Sequence, residues 1–169
     1  MAKAAARGIL KGLVVGLCAT QALDWLSIAL YEGESRRTRA RENAVRGNRH
    51  AYERAIERMA TRFGRDLSDD QIGRWGWRFH KVFGFLGGPA YLALRRRFPL
   101  LRWGGGLGFG ALFFVVVDEL MVPLAGLTPG PRAFSWKVHA RGAAAHLAYG
   151  VAAEMSARLL VDRNDSTTA

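Results

Sequence analysis

The segment LRWGGGLGFGALFFVVVDELMVPL, residues 101–124, decides how the fold is interpreted. It has the apolar character of a transmembrane helix, for which about 20 mostly apolar residues are sufficient. Trp103 lies near its start, as interfacial aromatic residues do, and Pro123 is expected to kink or end the helix. The adjacent acids Asp118 and Glu119 would be costly to ionise in lipid, so the segment also predicts a polar site inside the bundle.

Three other segments of similar character predict the remaining spans, at residues 12–31, 75–94 and 136–161. The first also resembles a signal peptide, because Thr20 to Ala22 is similar to a cleavage site. Its apolar run continues as far as Leu30, however, which favours a spanning helix. We therefore predict an all-α fold, a polytopic membrane bundle of four transmembrane helices in one domain over residues 1–163, with a frayed tail at residues 164–169.

The polar segment 32–74 contains eleven arginines, eight acids and no lysine. Its apolar residues recur at helical spacing, namely Val45, Tyr52, Ile56, Met59 and Phe63. We predict an amphipathic helix over residues 42–63 that lies at the membrane surface or caps the bundle. In the alternative, its arginines bind anionic lipid headgroups or a partner. Ser68, which is followed by acids, predicts the start of another helix that continues into the second span.

The composition excludes several classes of protein. A formal net charge of +11 on 169 residues suits nucleic acid or anionic lipid, and the long apolar segments between the basic residues favour lipid. The single cysteine, Cys18, rules out an internal disulfide framework and a zinc site built from several cysteines. We therefore expect a lipid bilayer as partner, no nucleic acid, no metal and no cofactor.

Every predicted span carries ionisable side chains, which should face inward and pair because lipid does not solvate them. They are Asp24, Arg78, His80, Lys81, Asp118, Glu119, His139, Arg141, His146 and Glu154. Counting about 1.5 Å per residue from the helix ends places most of them in the membrane half nearest segment 32–74. His146 is expected near the centre, and only Glu154 in the opposite half.

Glycines recur at steps of four on the same helix faces as these ionisable groups. The predicted packing glycines are Gly12, Gly16, Gly84, Gly88, Gly106, Gly110, Gly142 and Gly150. Small residues at this spacing let helix backbones approach closely, so these faces should form the contacts of the bundle. With such stripes on all the spans, one could be left for self-association, which would favour a homo-oligomer.

Three interpretations of the polar network remain open. In the first, the protein is a membrane scaffold or a partner-binding subunit, and the acids of the network are neutralised by Arg78, Lys81 and Arg141. In the second, a histidine titrates beside a carboxylate in a proton-linked or solute-linked site. In the third, two histidines such as His80 and His146 ligate haem. The residues suggest no persuasive catalytic arrangement, so we do not expect an enzyme.

Residues in the last two predicted spans resemble a known family. The residues that carry the resemblance are Asp118, Glu119, Pro123, Gly126, Leu127, His139, His146, Leu147, Ala148, Tyr149, Gly150 and Glu154. This pattern is similar to that of the YagU-like family of bacterial inner-membrane proteins, over roughly positions 75–160. The resemblance implies a multi-pass protein of the bacterial inner membrane, and it implies no reaction.

The distribution of cations gives opposing indications of membrane orientation. Lys3, Arg7 and Lys11, together with the short loop from Arg95 to Arg102, argue for both chain ends in the cytoplasm. The arginines of segment 32–74 argue the reverse, although the eight acids of that segment offset part of their charge. We predict cytoplasmic chain ends.

Overall fold

The computed structural model describes residues 2–162, which form helices and turns without any strand and so confirm the all-α class. The predicted tail at residues 164–169 lies outside the described residues. The elements are α1 (Ala2–Glu32), α2 (Arg36–Arg46), α3 (Ala51–Arg62), α4 (Asp69–Arg95), a 3₁₀ turn (Pro99–Arg102), α5 (Trp103–Phe113), a π-helical segment (Phe114–Met121), α6 (Val122–Leu124), a second 3₁₀ turn (Pro131–Ala133), α7 (Trp136–Ala157) and a second π-helical segment (Arg158–Asp162).

The bundle is arranged around α1, which packs against both α4 and α7, while α5 packs against α7 and α3 against α4. Gly12 lies beside Pro89 and Asp24 beside His80, so α1 and α4 are antiparallel. At one end of the bundle α1 finishes and α4 and α7 begin. We call it the lid end, because the helices α2 and α3 cover it, and we call the opposite end the far end. The buried core lies between these ends and includes Val15, Ala19, Tyr91, Leu101, Phe109, Tyr149, Ala153 and Ala157.

Two helical stretches are long and apolar enough to cross a membrane, Ala6–Glu32 and Pro99–Leu124, with mean hydropathy of 1.7 and 1.9. The length and composition of these two stretches support a membrane protein. The predicted spans at residues 75–94 and 136–161 are helical as well, within α4 and across α7. They carry more charged residues, and they do not meet the same criterion of apolar length.

The prediction of one amphipathic helix over residues 42–63 is wrong, because the chain turns between α2 and α3. Gly47 and Asn48 have φ values of 62° and 56°, in the left-handed region that ends a helix. A new helix, α3, then begins after the N-cap residue His50, whose backbone N–H donates to the Glu53 carboxylate at 2.7 Å. The predicted helix start at Ser68 is confirmed, since its side chain accepts a hydrogen bond from the backbone N–H of Gln71.

The start of the third predicted span also differs from a regular helix. Gly104, Gly105 and Gly106 have φ values of 61°, 71° and 108°, so the right-handed helix becomes continuous only after them. Only glycine adopts this left-handed region without strain, and three in succession let the chain reverse direction after the Pro99–Arg102 turn. Gly106 itself packs directly against the backbone of Gly150 in α7.

The eight predicted packing glycines all lie where two helices of this chain meet. Gly12, Gly16, Gly84 and Gly88 join α1 to α4, and the others join α5 and the π-helical segment after it to α7: Gly106, Gly110, Gly142 and Gly150. A Cβ atom at Gly88 would overlap the backbone of Gly12 and Gly16. These stripes are occupied within the chain, so they do not support the idea that one of them is reserved for a second copy.

Candidate functional site

A cavity of about 280 Å³ opens at the lid end of the bundle. All four histidines of the chain line it, namely His50, His80, His139 and His146. Three acids and two arginines also reach it: Glu42, Asp118, Glu119, Arg46 and Arg141. The rest of its lining is mostly apolar or aromatic, with Phe83, Phe113 and Phe114 among its residues. This concentration of titratable side chains in one cavity makes it the candidate functional site.

The helical hairpin formed by α2 and α3, residues 36–62, covers the cavity, and we call it the lid. Glu42, Arg46, His50 and Tyr52 of the lid contribute to the cavity wall. Arg58 anchors the lid to the turn after α6, because its guanidinium donates to the backbone oxygens of Ala125 and Gly126 at 2.6 and 2.7 Å. The cavity is therefore closed in part by the lid, a polar element that is attached to the rest of the bundle by ion pairs and hydrogen bonds.

Arg141 of α7 makes the strongest connection between the bundle and the lid. Its guanidinium lies 2.6 Å from the Glu34 carboxylate and 2.6 and 2.7 Å from the two oxygens of Glu42. Arg46 approaches the same Glu42 carboxylate at 2.7 Å. Burial raises the pKa of Glu42, but the hydrogen bonds from Arg141 and the charge of Arg46 outweigh it and lower that pKa below its ordinary value.

Asp24 of α1 forms a second connection at the lid end, between two helices of the bundle. Its carboxylate lies 2.7 Å from Nε2 of His80 and also accepts a hydrogen bond from Lys81. The imidazole of His80 stacks on Trp77 with ring centroids 5.3 Å apart, and Tyr52 of the lid lies at the same distance on another side. The orientation of His80 is therefore fixed by its neighbours.

His139 of α7 is held between two oxygen acceptors. Its Nδ1 lies 2.6 Å from the Glu119 carboxylate, and its Nε2 lies 3.0 Å from the backbone oxygen of Pro131. The contact with Pro131 requires a proton on Nε2, so a second proton is shared between Nδ1 and Glu119. The pair is thus an imidazolium with a carboxylate, or a neutral imidazole with a carboxylic acid, and in both cases it is fully hydrogen-bonded.

Asp118 and His146 form a looser pair in the inner part of the cavity. His146 donates from Nδ1 to the backbone oxygen of Gly142 at 2.9 Å, and that nitrogen is 3.7 Å from the Asp118 carboxylate. Asp118 forms no hydrogen bond with any described residue, and its side chain is 41% exposed, with the carboxylate on the cavity. Nε2 of His146 has no partner in the described chain either. Neither the Asp118 carboxylate nor Nε2 of His146 is therefore engaged by the described residues.

The cavity ends at a layer of aromatic side chains. Phe113 and Tyr149 form its inner wall, and Phe109 stacks behind Phe113 with ring centroids 5.6 Å apart. The Tyr149 hydroxyl donates to the backbone oxygen of Gly84 at 2.6 Å, so it is not available as a donor to the cavity. The cavity is therefore blind in this structure, open toward the lid end and closed toward the far end.

A separate ionic cluster surrounds Glu154 beyond the aromatic layer. Glu154 is fully buried, and its carboxylate lies 3.0 Å from Arg95, 3.3 Å from Arg102 and 2.7 Å from Arg158. The hydroxyl of Tyr91 also donates to it. Arg95 in turn makes a two-point ion pair with Asp162, at 3.0 and 3.1 Å. Every group in this cluster is used in a contact within the protein, so the cluster has a structural character.

The structure distributes the predicted network over several places. Six of its members line the cavity: His80, Asp118, Glu119, His139, Arg141 and His146. Asp24 and Lys81 lie beside His80, and Glu154 lies at the far end. Two specific predictions are wrong. Arg78 is exposed and stacks over Trp75 at 4.8 Å instead of pointing inward, and Arg141 neutralises acids near the lid end, not Asp118 or Glu119.

Sequence reasoning missed the contribution of the lid and most of the Glu154 cluster. The missed residues are Glu34, Glu42, Arg46, His50, Tyr52, Tyr91, Arg95, Arg102, Arg158 and Asp162. Two signals were present in the sequence: the spacing of Glu42 and Arg46 by four residues, and the fact that His50 is the fourth histidine. The partners of Glu154 have no local signature, because they come together only when the helices pack.

No family model matches the sequence, and neither a curated protein nor a solved structure matches the chain.

Proposed function

We propose that this chain is a multi-pass membrane protein with four spans, and that its blind cavity binds a small polar solute in a proton-linked manner at Asp118 and His146. One observation carries the proposal: in a cavity where His80, His139 and Arg141 each pair with a carboxylate, the Asp118 carboxylate and Nε2 of His146 have no hydrogen-bond partner among the described residues. A neutral His146 that donates from Nδ1 to Gly142 presents Nε2 as an acceptor toward a proton or a ligand.

The exposed surface supports four spans, including α4 and α7. Large apolar side chains are exposed along α1, along the Pro99–Leu124 stretch and along α4, where they include Trp75, Trp77, Phe79, Val82, Leu86 and Leu94. On α7 they are Trp136 near its start and Met155 near its end. A soluble monomer rarely exposes such a continuous apolar surface. All five tryptophans are exposed, and each lies toward the end of a long helix, as in the aromatic belts of membrane proteins: Trp25, Trp75, Trp77, Trp103 and Trp136.

The charges support an orientation with the far end in the cytoplasm. The described cations of the far end are Arg7, Lys11, Arg95, Arg96, Arg97, Arg102 and Arg158, against the two acids Glu154 and Asp162. The many arginines of the lid end are accompanied by acids of the lid, several in direct ion pairs. With the resemblance to the YagU-like family, this favours the bacterial inner membrane, with both chain ends in the cytoplasm and the cavity opening on the other side.

Thiol accessibility tests the cavity and its direction. In a Cys18→Ala background, Val117→Cys places a thiol in the cavity, whereas Val116→Cys places one on the outer apolar surface, where the native side chain is 37% exposed. We expect a membrane-impermeant methanethiosulfonate reagent to label Val117→Cys from the lid side only, and Val116→Cys from neither side. Labelling of neither variant would mean a dry cavity and would refute the proposal.

Proton coupling is tested in reconstituted vesicles with an imposed pH gradient. We expect the gradient to dissipate faster with protein than without it, and the difference to be lost in Asp118→Asn and His146→Ala. The matched control is Arg78→Gln, which changes an exposed ionisable residue outside the cavity and should behave as the native protein. Equal rates in empty vesicles and in vesicles with the native protein would refute proton transport through the cavity, which requires that the cavity also open toward the far end.

The second candidate is a structural or partner-binding subunit of a membrane complex, and the Glu154 cluster favours it because all of its groups are paired. In that case both vesicle assays should show no difference between Asp118→Asn and the native protein. The geometry does not favour haem. Nε2 of His80 is engaged by Asp24, and a cavity of about 280 Å³ is at the lower limit even for a drug-sized ligand.

A further inference from the structure

A second, larger recess lies at the far end, between the start of α1 and the end of α4. This groove has a volume of about 580 Å³. It is lined by cations from both helices, Arg7 and Lys11 from α1 and Arg95 and Arg96 at the end of α4. The rest of its lining is apolar or small, with Ile9, Pro89, Leu92, Ala93 and Val161. It is separated from the cavity at the lid end by the aromatic layer and has no residue in common with it.

Two cations of the groove have no counterion among the described residues. Arg7 and Lys11 lie one helical turn apart on the same face of α1, and neither forms an ion pair or hydrogen bond with any described residue. Arg95 is different, because Glu154 and Asp162 hold its guanidinium and its side chain is only 3% exposed. Arg95 therefore gives the groove a fixed wall, while Arg7 and Lys11 supply positive charge that no described acid neutralises.

The shape of the groove favours an amphiphilic anion over a free one. Gly8 also lines the groove, and a Cβ atom at that position would meet no atom within 4 Å, so the space next to Arg7 is open. Below the cations, the outer surface of α1 is apolar, with Ile9, Leu10 and Val14 exposed by 58%, 63% and 38%. A phosphate beside the cations would thus have an apolar surface ready for attached acyl chains.

We propose that this groove binds the phosphate headgroup of an anionic phospholipid, with Arg7 and Lys11 as its ligands and the outer faces of α1 and α4 as the surface for its acyl chains. Basic pockets between transmembrane helices bind such headgroups on the cytoplasmic side of membranes. The inference rests on the proposed insertion in the membrane. It places lipid recognition at the far end, away from the arginine-rich segment where the sequence suggested it.

The test uses the purified full chain in a neutral detergent and measures binding of dioleoylphosphatidylglycerol by native mass spectrometry, with dioleoylphosphatidylcholine as the neutral probe. We expect one tightly bound anionic lipid per chain and a loss of about thirty-fold in affinity for Arg7→Gln with Lys11→Gln. The matched control is Arg36→Gln with Arg37→Gln, which removes the same charge from two exposed residues of the lid and should leave binding unchanged.

A second variant tests the groove without changing its charge. Gly8→Phe should fill the open space and weaken lipid binding at least ten-fold, whereas Gly130→Phe, also at an uncrowded glycine, should not. Equal binding by the Arg7→Gln/Lys11→Gln and Arg36→Gln/Arg37→Gln variants would overturn the proposal, as would displacement of the lipid by glycerol phosphate at the same concentration. A chain that is found in the soluble fraction would instead refute membrane insertion, so the two failures are distinguishable.

Discussion

Replacement of Glu154 by glutamine should destabilise the protein more than any other single loss of charge at the far end. Glu154 is 0% exposed, and its carboxylate is shared by Arg95, Arg102 and Arg158. Glutamine keeps the shape of the side chain but removes the negative charge, so the buried guanidinium of Arg95 loses one of its two carboxylate partners. Removing one partner of a buried ion pair costs about 3–5 kcal/mol in the free energy of unfolding.

The exposure of the three arginines decides where in this range the effect falls. Arg102 and Arg158 have side chains that are 46% and 57% exposed, so they can be solvated once the carboxylate is gone. The side chain of Arg95 is only 3% exposed and cannot be solvated in this way, but it keeps its ion pair with Asp162. We therefore expect the lower end, about 3 kcal/mol, which corresponds to a fall of roughly 6–12 °C in the melting temperature of a domain of this size.

The assay is thermal unfolding in detergent, followed by circular dichroism at 222 nm. The matched control is Asp162→Asn, which removes a carboxylate that is 41% exposed and should cost no more than about 1 kcal/mol. If Glu154→Gln melts within the error of Asp162→Asn, then the Glu154 cluster does not stabilise the far end, and the structural interpretation of its pairing is wrong.

Three further predictions concern the lid and the glycine contacts. Acidification from pH 7 toward pH 5 should loosen the lid, because burial and the charge of Arg46 lower the pKa of His50. The unfolded chain therefore binds a proton at His50 more readily than the folded chain does. The corresponding stability is present above the unfolded pKa, about 6.5 for histidine, and is lost as the pH falls through the folded pKa. The pKa of Glu42 is also lowered, so Glu42 adds a further loss of stability below about pH 4.3. The measurement is hydrogen exchange over residues 36–62, and a rate that does not change with pH relative to that of α7 would contradict both effects. Arg58→Ala should weaken the anchor of the lid to Ala125 and Gly126 by about 1–3 kcal/mol and speed proteolysis within α2 and α3, while Arg62→Ala should not; equal cleavage rates would show that the anchor is dispensable. Gly16→Leu should abolish the packing of α1 on α4, because its side chain would overlap the backbone of Phe85, whereas Gly8→Leu should melt as the native protein does; similar melting of both variants would refute the close-packing argument.

The helical class and the close contacts between helices could be predicted because they depend on local composition and on spacing. Steps of four placed Gly12, Gly16, Gly84 and Gly88 on faces that meet in the structure, and Ser68 marked a helix start through its own side chain. The break between α2 and α3 was missed because helical periodicity continues across it, although Gly47 provides the left-handed residue that a turn requires.

The membership of the site was only partly predictable, for a physical reason. An ionisable residue in an apolar segment is recognisable in the sequence, which is why Asp118, His139 and His146 were found. The lid residues lie in a polar segment where charges are expected, so nothing in the sequence distinguished Glu42 from its exposed neighbours. The partner of Arg141 depends on how a hairpin about a hundred residues away docks, and local spacing contains no information about that contact.

The π-helical segment Phe114–Met121 has a consequence for the phase of the helix that carries the acids. In a regular α-helix, residues four apart drift by about 40° around the axis, so a stripe at steps of four turns away from its partner within two turns. The wider π-helical turn counteracts this drift. Gly110, Phe114 and Asp118 consequently all remain against α7, beside His146 and Gly142. In a regular α-helix, Asp118 would instead be turned by about 40° from Phe114 and by about 80° from Gly110, so that its carboxylate would lie out of register with His146.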